Sequence, residues 1–228
     1  MTETRRLFHE EMDEVTRDVV HLGALAGRAI EAGTAALLDS DLDAVERVIA
    51  EDAPMDDLTH SIEERTYLLM ARQQPMAGDL RTLVTILRVI HELERVGDLM
   101  VRVAKATRRL YPQSLSPRIR GLLDRMREQA GIQVGLAVEA FAGRSSAKAA
   151  AIADMDDVMD DLQRDLFQAI FAEHATDDSA LQRAVQVALV GRYFERIGDH
   201  AGNIADRVEY MVAGVFHHGG PQPADATG

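Results

Sequence analysis

The chain has 228 residues, 46% of them hydrophobic and 28% charged, with a formal net charge of −13 and no cysteine. This composition excludes disulfides and thiolate metal sites. The acidic surplus, with no basic, aromatic-interleaved segment to offset it, argues against nucleic acid as a partner. No apolar run approaches the ~20 residues of a membrane span, and the charged start MTETRRLFHEEMDEV is not a signal peptide. The expected location is the cytoplasm.

In chain order the hydrophobic spacing predicts helices throughout. Leu7, Met12, Val15, Val19, Leu22, Leu25 and Ile30 recur at three- and four-residue steps and define a first helix over about 3–38. D-S-D-L at 39–42 is a break with a new N-cap. A second helix spans about 41–72, with a kink or restart expected at Pro54, because an interior proline removes a donor and clashes with the preceding turn. Residues 73–79 read as a loop with Asp79 as a cap, and a third helix covers about 79–110. The proline-bearing stretch 110–117 is a linker. The pattern then restarts, with helices over about 117–143, 146–173 and 178–214, and caps at G-R-S-S (143–146) and T-D-D-S (176–179). The expected fold is all-α: two tandem antiparallel three-helix bundles, 1–111 and 112–216, related by internal duplication. The tail 217–228 has no apolar periodicity and is expected to be disordered.

The duplication is visible in the chemistry. E-R-V-G-D at 94–98 returns as E-R-I-G-D at 195–199, and P-M-D-D-L at 54–58 returns as V-M-D-D-L at 158–162. Each motif sets acids four residues apart: Glu94 and Asp98, Glu195 and Asp199, Asp52 and Asp56, Asp156 and Asp160. On a helix such pairs share one face, and as unpaired like charges they cost about 0.2–0.5 kcal/mol each. The mid-helix glycines Gly97 and Gly198 cost about 1 kcal/mol more against alanine. Carboxylates gathered in this way call for a cation, and the glycines for a close neighbour.

These paired motifs, with G-D-L-R at 78–81 and ERIGDHAGNIAD at 195–206, resemble the PhoU family, accessory proteins of the bacterial high-affinity phosphate transporter, over about residues 5–214. The resemblance implies two three-helix bundles in pseudo-twofold arrangement. It also implies metal ions, iron or zinc, held on each bundle by the E/D-x-x-x-D pairs. The implied role is regulatory: an adaptor that restrains the phosphate-starvation response by linking the transporter's ATPase subunit to a sensor histidine kinase. Such a protein meets the membrane only through its partners, and it is expected to be a homodimer and not an enzyme.

The candidate ligands are Asp52, Asp56, Glu94 and Asp98 in the first half, and Asp156, Asp160, Glu195, Asp199 and Asn203 in the second. Oxygen donors of this kind suit iron or a hard divalent cation. The second site is expected to bind better. Its stripe Glu195, Asp199, Asn203, Asp206 is all oxygen, whereas the same register in the first half runs Glu94, Asp98, Arg102, Lys105. Arg102 stands four residues past Asp98, where the two can form an ordinary i,i+4 salt bridge. Pro54 lies between Asp52 and Asp56 and threatens their shared geometry. Arg95 and Arg196 read either as holding a carboxylate or a partner or as salt bridges across the bundle, His200 as a surface histidine one position off the stripe, and the ten methionines as core. The competing function is a carboxylate-bridged metalloenzyme on a helical bundle, although the Glu-x-x-His of ferritin-like di-iron bundles occurs nowhere in the chain. A third reading leaves the acids as a solvated face of a structural bundle.

Overall fold

The computed structural model describes residues 3–73, 75–173 and 177–214. Every regular element among them is a helix: α1 (Glu3–Asp39), α2 (Leu42–Ala50), α3 (Asp52–Gln73), α4 (Gly78–Leu110), α5 (Pro117–Ala142), α6 (Ser146–Ala153), α7 (Asp156–Ala172) and α8 (Asp178–Ala213). In each half a long first helix, a broken middle helix and a long last helix pack as a three-layer bundle. The expected tail, 217–228, lies outside the described residues.

Local chemistry sets the helix ends. The side chains of Asp41, Ser116, Ser145 and Asp177 each accept a hydrogen bond from the backbone N–H three residues on, satisfying donors the helix leaves orphaned. Pro117 opens α5, where a missing N–H costs nothing. Asp79 was the expected cap of α4, but Ala77 occupies that position without a side-chain cap. Asp79 faces α1 instead, 3.5 Å from His9 Nε2. Arg81 of the same G-D-L-R segment reaches the far end of α8. Its Nε donates to the carbonyl of Met211 at 3.4 Å, against the left-handed Gly214 (φ 76°) that ends that helix.

Both middle helices are broken. The first break falls at Glu51, one turn ahead of Pro54, which then sits in the opening turn of α3 and leaves Asp52 and Asp56 on one continuous helix. The second break, at Asp154 and Met155, was not expected, because no proline marks it. It lies in register with the first under the same offset that aligns the two M-D-D-L segments. The breaks have a common electrostatic consequence. Asp52 enters the first turn of α3, and Asp156 and Asp157 the first turn of α7, where the positive end of the helix dipole favours a carboxylate.

The halves share their interior. α4 packs along α8 and α1 along α5, so each long helix meets its counterpart in the other half. One continuous apolar core runs through both, with Phe141, Phe194, Leu22, Ile30, Leu93 and Met100 among its fully enclosed side chains. No helix among the described residues is long and apolar enough to cross a membrane.

Candidate metal centre

In each half the first turns of the third element lie beside the glycine motif of the last helix, close enough for the four acids to act on one another electrostatically. In the first half Asp52 and Asp56 of α3 lie against Glu94 and Asp98 of α4. Gly97 makes this approach possible. A Cβ there would stand 3.1 Å from Met55 Cε and 3.4 Å from Asp52 Oδ1. Burial, then the charges of Asp56 and Asp98, push the Asp52 carboxyl above its ordinary value, with Lys105 opposing. Burial, then Glu94 and Asp98, does the same to Asp56, with His60 opposing.

The first cluster is partly neutralised by its own helix. Asp98 pairs with Arg95 at 2.8 Å, not with Arg102 as the spacing had suggested. The i,i−3 arginine reaches the carboxylate, and Arg102 points outward into solvent. His91 stands between Glu94 at 3.3 Å and Glu63 at 3.7 Å.

The second cluster joins Asp156 and Asp160 of α7 to Glu195 and Asp199 of α8. Burial, then Asp160, Asp199 and Asp157, push Asp156 upward, and no basic group opposes them. Glu195 is raised by burial and Asp199, against the charge and hydrogen bond of Arg192. Arg192 pairs with Glu195 Oε1, while Oε2 is buried with no hydrogen-bond partner. Among the described residues no ion pair engages Asp156, Asp160 or Asp199. A cleft of about 580 Å³ opens beside them, lined by Gln133, Asp156, Asp199, Asn203, Asp206 and Glu209 with no basic side chain. Gln133 is 1% exposed and its Oε1 is also unpartnered. That oxygen lies 3.0 Å from where a Cβ on Gly198 would be, so Gly198 admits Gln133 of α5 and not the acidic helix. The corresponding cleft of the first half, about 1060 Å³, is lined largely by apolar groups including Leu25, Met55, Met100 and Val101.

One neighbour of the cluster departs from the sequence-based expectation. His200, expected at the surface, is 13% exposed and lies in the α4–α8 interface, its Nδ1 2.6 Å from Glu92 Oε2. One position past Asp199 turns a helical side chain by about 100°, here toward α4. Asn203 lines the acidic cleft, but its Nδ2 donates to the same Glu92 oxygen at 3.2 Å. Burial would raise Glu92. The hydrogen bonds from His200 and Asn203, with the charges of His200 and Arg207, outweigh it and hold Glu92 below the usual glutamate value. The sequence reading missed Glu92, whose counterpart in the repeat is Tyr193. That mismatch two residues ahead of the repeated E-R-x-G-D motif was the available signal.

As the side chains stand, no three His, Asp or Glu residues among those described converge on a single point in a metal-holding arrangement. The donor set nevertheless fits a hard cation. It consists of carboxylates from two helices, mutually repelling, with one buried oxygen left without a partner.

The raised acids have a thermodynamic consequence. Asp52, Asp56, Asp156 and Glu195 have folded-state values above their unfolded ones. The folded state then binds their protons more readily than the unfolded chain, so their destabilisation is present at neutral pH and relieved as pH falls through the raised values. Glu92 has the opposite sign, and its contribution is lost only as pH falls through its lowered value. Metal-free protein should therefore melt at a higher temperature under mildly acidic conditions than at neutrality, and Asp156→Asn should reduce that gain. A melting temperature that only falls with pH would contradict the described repulsion.

The features together define a class: an all-α bundle built from a tandem repeat, with one paired acidic face per half and, among the described residues, no helix long and apolar enough to cross a membrane. Comparison with known proteins makes this specific. The PhoU domain matches twice, over residues 19–107 and 123–208. The phosphate-specific transport system accessory protein PhoU homolog 2 of Mycobacterium tuberculosis is 36% identical over 213 residues, covering 93% of this chain and 99% of that protein. The PhoU homolog of Rhizobium meliloti is 31% identical, covering 96% and 93%. The crystal structure of PhoU from Pseudomonas aeruginosa superposes with a TM-score of 0.85 at 29% identity, covering 91% of this chain and all of that one. That of the phosphate transport system regulatory protein PhoU from Streptococcus pneumoniae gives 0.84 at 26%, covering 92% and 99%. The chain belongs to the PhoU family.

Proposed function

We propose that this accessory protein of phosphate transport acts in the cytoplasm as an adaptor. It would restrain the phosphate-starvation response by bridging the transporter's ATPase subunit and a sensor histidine kinase, as a homodimer whose acidic clusters carry metal. The observation that supports the metal component is the buried, unpartnered Glu195 Oε2 beside acids that raise one another's proton affinity, a mutual repulsion repeated in both halves. Asp156, Asp160, Glu195 and Asp199 would hold the ion there, with Asn203 beside them, and Asp52, Asp56, Glu94 and Asp98 in the first half. Bound metal supplies positive charge that offsets the mutual repulsion of these acids. The chain's own residues do the rest: the helix breaks place Asp52 and Asp156 at helix N-termini, and Gly97 lets α3 settle against α4.

The adaptor reading is tested by affinity capture with the purified transporter ATPase subunit, comparing wild type with Asp160→Ala/Asp199→Ala. Retention of the ATPase subunit by wild-type protein supports the adaptor. No retention, with or without added metal, would sink it. The metalloenzyme alternative requires turnover of phosphate esters or oxygen by metal-loaded protein, which the adaptor does not perform.

A further inference from the structure

Glu92 stands where the two halves touch. It projects from α4 two residues before Glu94, and its Oε2 meets His200 Nδ1 at 2.6 Å and Asn203 Nδ2 at 3.2 Å, both on α8. A carboxylate has no proton to give, so both partners must present N–H. An asparagine amide has one donor end and one acceptor end. With the nitrogen committed to Glu92, Oδ1 is turned away from it. Asn203 lies one turn beyond Asp199 and lines the acidic cleft, which Glu92 does not. The carbonyl oxygen is therefore the polar end Asn203 offers to that cleft.

We propose that Glu92 is a positioning residue for the second acidic cluster, holding Asn203 so that its carbonyl oxygen serves as a neutral donor to a hard cation beside Asp199. The inference rests on the metal reading given above. Its chemical logic is one of charge. A further carboxylate would add a ligand and more repulsion, whereas a carbonyl adds a ligand and no charge. A reversed amide would turn its N–H groups toward the cation. Nothing equivalent serves the first cluster, for which Tyr193 of α8 and Arg102 of α4 occupy the counterpart positions of Glu92 and Asn203. The bridge also ties the oxygen to α4, the helix that carries the first motif.

The test is a Mn²⁺ titration of the whole chain, with free ion followed by electron paramagnetic resonance. In Glu92→Gln the new amide can donate or accept, so it no longer dictates the orientation of Asn203. Mn²⁺ affinity should fall about tenfold, in the range typical for loss of an outer-shell partner. Asn203→Ala should cost a similar factor, and Glu92→Gln/Asn203→Ala no more than either alone, because the two residues act as a unit. His200→Ala removes the other hydrogen bond to Glu92 while leaving Asn203 held, and should leave the affinity unchanged. Unchanged affinity in Glu92→Gln, or losses that simply add in the double variant, would overturn the positioning role while leaving the metal site standing. Absence of Mn²⁺ binding by the wild-type chain would overturn both.

Discussion

Asp160→Ala/Asp199→Ala is expected to lose its metal. Each substitution takes a carboxylate from a different helix, so the pair removes both walls of the second cluster while leaving Glu195 and Asp156. Loss of an outer-shell partner alone costs about 10–100-fold in affinity, and removing two of the proposed oxygen ligands should exceed about 100-fold. Asp98→Asn should cost much less, because Asp98 is already paired with Arg95 at 2.8 Å and Lys105 sits close enough to oppose the raised value of Asp52. Elemental mass spectrometry of protein purified without an affinity tag or added metal reads both predictions directly. Equal losses from Asp98→Asn and Asp199→Asn would sink the asymmetry. Wild-type protein that is folded and metal-free would reduce both clusters to acidic surface.

The second large effect concerns the core that holds the second cluster in place. Phe194 is fully buried and immediately precedes Glu195. Its ring lies in the core shared by both halves, on the face of α8 turned away from solvent. Phe194→Ala should destabilise the protein by about 3–5 kcal/mol, through lost burial and the cavity left behind. For a chain of this size that is a fall of roughly 6–20 °C in melting temperature. Phe171→Ala on α7, where the ring is 77% exposed, is the matched control and should change little. Calorimetry showing similar melting temperatures for the two variants would contradict the described packing.

How far the sequence carried the fold differs from element to element. The long helices and the duplicated acids were legible because both depend on spacing along one helix, and 3.6-residue periodicity places a side chain on a face without reference to any neighbour. The break before α3 was signalled by Pro54. The break before α7 had no proline and could be found only by carrying the first break across the repeat. Partner choice was less legible. Asp98 had arginines available at i−3 and i+4, and spacing alone does not say which side chain bends toward it. His200 and Glu92 were hidden for a different reason. Their contact depends on how α4 and α8 are rotated against each other, and that is fixed by the packing of both helices together. Asn203 lines the same cleft as Asp199, as helical spacing expects, but its bond to Glu92 belongs to the same hidden interface.

The pairing of each long helix with its counterpart has a genetic consequence. In a symmetric homodimer of one bundle, every substitution appears on both sides of the interface at once. A change that improved one site would be imposed on the other. Fusing the two copies into a single chain removes that constraint. Position 102 can hold arginine while 203 holds asparagine, 105 lysine while 206 holds aspartate, and 92 glutamate while 193 holds tyrosine. The fold keeps the architecture of a dimer, yet its two acidic faces are free to accumulate separate histories.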